Sequence, residues 1–457
     1  MSSVGLSFGS ATSGQGFNVS STVSQIMTSM QAVETPWNTS LTSLEAQDTV
    51  ISSLGTQLST LTTDLQNLTD FDGAFSGMEG SSSDTNVVEL TSASTTAVAG
   101  THTVVVSKLA QTSTEVSGQV ASTDALSGSL QITVGASGTP QTVTVDSSNP
   151  TLSDFAATIN AAGIGVQASV INEASGQVME LVSQTSGSAG QLSVTGSLTD
   201  TTTSKTVNYT SAQSGQDAEL TVDGISLTSS SNTVTTAIPG VTMQLVSAAP
   251  SESVQVQVVN NTSGVTTALQ TFVDDYNTLI TAVNTQEGNT ASGTPEPLDA
   301  TPVLAQLQSE LENGISTAAG AGNITSFYDL GITMNNDGTL SLDTDTLSTA
   351  LNTNYSDAMN FFQNTGEFGQ TYLSTLGDLG TTNPDGALAL QSSENSSQES
   401  TLKTDISNEN ALISTQQTNL TAELNSANET LQEIPSQLEY VNELYSAITG
   451  YNTGTSS

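Results

Sequence analysis

Two long heptad stripes, one near each end of the chain, constrain the fold more than any other feature of the sequence. From Trp37 the apolar residues fall at Leu41, Leu44, Ile51, Leu54, Leu58, Leu61, Leu65 and Leu68, with Asp48 in the same seam. Alternating steps of three and four over more than four heptads are the period of a coiled coil. The C-terminal stripe runs through Leu402, Ile406, Ile413, Leu420, Leu424, Leu431, Ile434, Leu438, Val441, Tyr445 and Ile448, with one stutter near Leu424. A shorter helical pattern, Val19, Val23, Ile26, Met27, Met30 and Val33, precedes the first stripe, with Asn18 or Ser20 as its cap. Thr35-Pro36 reads as a fresh helix start, so a break is expected near Glu34. Pro435 is expected to kink the last helix, because it removes a backbone donor.

Between about Asp84 and Asn261 the period changes to two. Val104 and Val106, Leu130 to Val134, Val143 and Val145, Val166 to Val170, and Val254 to Val258 alternate apolar and polar. Asp223-Gly224 between Leu220–Val222 and Ile225–Leu227 predicts a two-residue hairpin, since Asp-Gly accepts the left-handed turn. Asn336-Asp337-Gly338 between Ile332–Met334 and Leu340–Leu342 repeats that signal. One helix is expected inside the β region, Leu152 to Ala162, ended by Gly163. The expected class is α+β, with terminal helices pairing as a coiled-coil leg and nested β-rich head domains inserted between them.

The expected division is a disordered N-terminus over 1–17 and leg helices over 18–70. A β head domain follows in two parts, 71–110 and 205–263, around an outer β-rich domain at 111–204. A mixed helical and hairpin domain over 264–400 comes next, then the C-terminal leg helix over 401–450 and a disordered tail over 451–457.

Charge and composition exclude much of the chemistry. Of 457 residues, 3 are cationic and 44 acidic, a formal charge of −41. Three lysines cannot neutralise a run of phosphates, so nucleic acid is excluded as a partner. Without cysteine there is no disulfide, thiol nucleophile or zinc finger, and one histidine, His102, leaves little for a triad. No apolar run is long enough for membrane insertion, and residues 1–17 lack the basic start and apolar stretch of a secretory signal. Asp274 and Asp275 are adjacent on a helical pattern and point about 100° apart, so they do not face each other as a dyad. Asp343 and Asp345 read as helix caps ahead of Leu347. The 335–343 stretch fails as a calcium loop, because Thr333 and Thr344 stand where carboxylates are needed. No catalytic residue, metal site or cofactor is expected. The helical seams must be covered, by each other or by neighbouring subunits.

Several stretches resemble one family, the flagellar filament cap (hook-associated protein two). They include Phe17-Asn18-Val19-Ser20-Ser21-Thr22-Val23-Ser24-Gln25-Ile26-Met27, Ile51 to Leu61, Ala99 to Ala110, and Leu152 to Asn160 followed by Val166 to Val170. Asp217 to Leu227, Ile238-Pro239-Gly240-Val241-Thr242, Phe272 to Leu279, and Leu330-Gly331-Ile332 with Asp337 to Asp343 continue the match in order. The resemblance implies a structural protein at the distal end of the flagellum, a ring of five or six copies that feeds flagellin into the growing filament. It implies flagellin, hook-associated proteins and an export chaperone as partners, and export by the flagellar type III route without a cleaved signal. Another axial protein, such as flagellin or the hook–filament junction protein, and a surface adhesin for host glycans are the alternative readings.

On the cap reading the two seams are the assembly residues. Asp48, Gln416 and Gln417 are expected to weaken and register the pairing, and Asp48→Leu to raise helix stability while slowing filament growth. With so few cations, subunits are expected to meet through apolar seams and uncharged hydrogen bonds. Such contacts should tighten as carboxylates protonate, which suits an acidic habitat.

Overall fold

The computed structural model describes residues 16–450. The expectations of disorder for most of 1–17 and for 451–457 therefore lie outside the described residues. The described residues form two compact units, one within residues 16–69 and 269–450 and the other from 70–268.

In the first unit, α1 (Val19–Gln31) is capped by Asn18, whose side chain accepts the Ser21 amide at 3.0 Å. The helix ends at Ala32, and α2 (Glu34–Thr69) starts two residues later, as Pro36 in its first turn foretells. In the second unit, α3 (Leu152–Ala161) stops before Gly163, which adopts φ +60°. The chain then runs through α4 (Thr262–Thr285), α5 (Pro302–Ser316), α6 (Thr344–Thr353), α7 (Tyr355–Gln363), α8 (Phe368–Leu379) and α9 (Ala387–Thr449). Asp343 caps α6 by accepting the Asp345 and Thr346 amides, which is the role its position predicts.

The C-terminal helix departs from its expected bounds. It starts at Ala387 rather than 401 and is continuous for 63 residues through Pro435. Its first turns, Ala387-Leu388-Ala389-Leu390-Gln391, are strong helix formers that follow Gly386. The leucine stripe becomes regular only at Leu402, which hides the true start. Pro435 lacks a backbone donor, yet the helix continues past it to Thr449.

The helical unit has an aromatic centre. Phe327 lies 4.5 Å from Phe368 and 5.5 Å from Phe361, ring centre to centre, in edge-to-face contacts. Phe361 and Phe368 stack at 5.2 Å, and Tyr372 stacks on Phe368 at 5.3 Å while donating to the Leu311 carbonyl. A small hairpin, Ile332–Met334 with Leu340–Leu342, turns at Asn336-Asp337-Gly338 as expected.

The β unit contains two separate cores. In one, a five-stranded antiparallel sheet has the order Met78–Ser82, Val254–Asn260, Gly100–Lys108, Ala218–Val222, Ile225–Ser229. A three-stranded sheet, Thr233–Val234, Val241–Leu245 and Val88–Ala93, contributes Val88, Met243 and Leu245 to the same core. The predicted hairpin is present, with Val222 paired to Ile225 and Asp223 at φ +52°. His102 sits on the central strand with Nδ1 2.7 Å from Asp223 Oδ2 and so braces that strained turn. The second core draws on two four-stranded sheets and α3, with Leu130, Ile132, Phe155, Ile159 and Leu181 at its centre.

Candidate assembly interface

The helical unit brings the two heptad stripes together. Glu45 of α2 lies 3.5 Å from Lys403 of α9, and Asp48 accepts from Asn395 Nδ2 at 2.9 Å. Further along, Val19, Val23 and Met27 of α1 cluster with Ile413, Leu420 and Leu424, and the Phe17 amide donates to Asn428. As numbers rise along α1 and α2, their partners' numbers fall along α9. The two shorter helices are thus laid one after the other, antiparallel to one helix about 95 Å long.

The seam residues divide into three groups. Ile51, Leu54, Leu58, Leu61, Leu65 and Leu68 are buried, each at most 2% exposed. Here α2 packs against α7 and α8 as well as α9, so this half of the stripe is the core of a helix bundle rather than a two-stranded coil alone. Trp37, Leu41, Leu44 and Asp48 are half-buried, as are Leu402, Ile406, Leu420, Leu424, Leu431 and Ile434, while Ile413 is buried. Leu438, Val441, Tyr445 and Ile448 are exposed, Ile448 by 76%. The Phe17 amide meets α9 as far along as Asn428.

The polar seam differs from its expected make-up. Gln416 and Gln417 face solvent. Asp48 is instead met by Asn395, 1% exposed, whose amide oxygen accepts from Gln391 at 2.9 Å. Asn395 lies seven residues from both Leu388 and Leu402, so the heptad period could have marked it as a seam position. Of the three cations, Lys403 also pairs with Glu399 at 2.8 Å, and Lys108 pairs with Glu219 at 2.8 Å on the neighbouring strand. Asp274 accepts from Gln270 at 2.9 Å, and Asp275 meets Asp64 of α2. No helix among the described residues is long and apolar enough to cross a membrane.

The family model for the C-terminus of flagellar hook-associated protein 2 matches residues 215–447, and the model for its N-terminus matches 15–113. The chain belongs to the flagellar hook-associated protein 2 family. The B-type member from Pseudomonas aeruginosa is 28% identical over 373 residues, which are 74% of this chain and 75% of that one. The member from Escherichia coli K12 is 27% identical over 369 residues, 74% and 76% of the two chains. A crystal structure of the flagellar cap protein FliD, domains D1-D2-D3, from Escherichia coli aligns with a TM-score of 0.57 and 25% identity. That alignment covers 76% of this chain and 99% of the other. The family is one of structural cap proteins of the flagellar filament. Membership in it favours the cap over a flagellin, a junction protein or an adhesin.

Proposed function

We propose that this chain caps the distal end of the flagellar filament as a ring of five or six copies, with the paired helices α1, α2 and α9 as the leg that touches the filament end. Flagellin arriving at the tip folds into the gap that a leg leaves open, displaces that leg and moves the cap one step. The chain reaches the tip by the flagellar export route, served by an export chaperone. The β-rich segments 71–110 and 205–263, with 111–204 nested between them, are the head of each subunit. The leg is the stretch 18–70 with α9, and the helices and hairpin between residue 264 and α9 support it.

One observation carries the reading of the leg. The last third of α9 presents Leu438, Val441, Tyr445 and Ile448 on successive turns with no cover among the described residues. A single apolar residue on a surface is ordinary, but a stripe over three turns marks a contact site. The contact is shallow and uncharged, which suits a leg that must bind and release. Lys403 is the one cation on α9, and it is held by Glu45 and Glu399 within the subunit.

The test is complementation of a cap-deletion strain with a quadruple variant, Leu438, Val441, Tyr445 and Ile448 each to Ser. The variant is expected to be secreted and folded, yet to leave flagellin unpolymerised in the medium. Filaments of normal length would remove this stripe from the leg's contact with the filament. Micrographs of the purified chain test the ring: closed rings are expected, whereas unbranched fibres would point to a flagellin-like protein.

A further inference from the structure

We propose that Asp64 and Asp275 form a proton-sharing carboxyl pair inside the helical unit, which makes that unit tighter in mild acid than at neutral pH. Asp64 lies on α2 among Leu61, Leu65 and Leu68, and Asp275 lies on α4 beside Phe272, Tyr276 and Leu279. All six of those neighbours have no exposed surface. Asp64 Oδ2 is sealed from solvent with no hydrogen-bond partner, and the Asp275 carboxyl is the charged group that acts on Asp64. Two carboxylates that meet in such a place are costly with both charges present, because burial and mutual repulsion act together. One proton removes the conflict. Held on Asp64, it is donated to Asp275 and links α2 to α4.

No cation offers an alternative. The chain has three Lys and no Arg. Lys403 is engaged by Glu45 and Glu399, and Lys108 and Lys205 belong to the β unit. Titratable groups on the other helices against α2 are occupied elsewhere or exposed. On α7, Asp357 accepts from Asn323, and Tyr355 is not among the groups that act on Asp64. On α8, Tyr372 donates to Leu311, and Asp378 is exposed. On α9, Glu394 accepts from Gln398, and Glu399 holds Lys403. On α4 itself, Asp274 points to Gln270. Only Asp275 acts on Asp64.

Burial first, then the hydrogen bond to Asp275 and its charge, push Asp64 up from 3.8 to about 6. A carboxyl whose folded pKa exceeds its unfolded one stabilises the fold most below the unfolded value. That contribution is lost as pH rises through the folded value, here between about 4 and 6. Two pH units correspond to at most about a hundredfold change in the folding equilibrium. On the export reading above, this weakens folding inside a near-neutral cell and strengthens it in an acidic exterior. That consequence rests on the proposed function, whereas the pair and its test do not.

The experiment is thermal unfolding of the purified full chain from pH 4.5 to 7.5, followed by helix ellipticity and by the fluorescence of Trp37, the only tryptophan, which lies on α2. The wild type is expected to lose stability as pH rises through about 6. Asp64→Asn keeps a donor toward Asp275 without a charge, so it is expected to flatten that dependence and to exceed the wild type at pH 7.5. An unchanged slope in the variant overturns the pair. Should the variant fail to fold, infrared titration of the wild-type carboxyl band decides. A protonated carboxyl persisting above pH 5 supports the pair, and full ionisation by pH 4.5 overturns it. Stabilisation of the wild type by calcium at pH 7.5, abolished by a chelator, would mean that the two carboxyls hold a cation rather than a proton.

Discussion

At the scale of the residue, Asn395 changes what Asp48 can be expected to do. In the sequence Asp48 is a lone acid in an apolar seam, and replacing it with leucine should strengthen the pairing. In the structure it accepts a hydrogen bond from an amide that is 1% exposed. Asp48→Leu would leave Asn395 Nδ2 buried without a partner, a loss of about 1–3 kcal/mol. The single variant is therefore expected to lower the urea midpoint of α-helix unfolding. The double variant Asp48→Leu, Asn395→Leu is expected to recover it or exceed the wild type, because matched apolar groups can replace a buried polar pair. A double-mutant cycle with a coupling near zero would show that the two residues do not act together. If the stepping argument holds, the more stable double variant also slows filament growth.

At the scale of the element, helix ends show which local signals are reliable. Asn18, Asp343 and Gly163 each act at the position where side-chain chemistry places them. Asp343→Ala is expected to cost about 1 kcal/mol, since it frees the Asp345 and Thr346 amides at the start of α6. The measure is the shift in urea midpoint, and no shift would mean that water replaces the cap without loss. Pro435 shows the limit of such signals. Taken alone it breaks a helix, but α9 continues through it. A proline lacks one donor and crowds one carbonyl, and a long exposed helix tolerates both where its surface faces water. Pro435→Ala is expected to raise the helix content of the C-terminal third and its resistance to proteolysis.

At the scale of the whole molecule, acid acts in two directions. Asp329, Asp337 and Asp343 in the helical unit are held below the usual carboxylate range. For Asp337 the main cause is hydrogen bonding from Thr339, and for Asp343 it is hydrogen bonding from Thr346. At Asp329 burial opposes the shift, and hydrogen bonds from Thr325 and Ser326 outweigh it. Such groups stabilise the fold above their unfolded value and lose that contribution as pH falls below about 4. Asp64 has the opposite sign. The helical unit is therefore expected to be most stable near pH 4, losing stability as pH rises from about 4 to 6 and also as it falls below about 4. On the proposed ring, assembly is expected to have a separate pH dependence, because the mutual repulsion of 44 acids offset by only three lysines falls wherever carboxylates protonate.

Periodicity alone carried most of the fold. The helical ends, the alternating middle, both Asp-Gly hairpins and α3 are all local features, because a residue's neighbours at two, three or four positions decide its exposure. The family motifs rest on the same local signals. Pairings between distant positions were not readable in this way. Asn395 could have been found by its heptad place, but its partner could not. Nothing in the spacing of Asp64 and Asp275 joins them across 211 residues. The packing of Ile51 to Leu68 against α7 and α8 was equally hidden, because a stripe of leucines has the same period whether one helix covers it or three. The sequence by itself determined that the chain has helical ends around β domains and almost no cations. Only the tertiary structure decided which polar groups are buried together, because desolvation depends on every element that closes over a site.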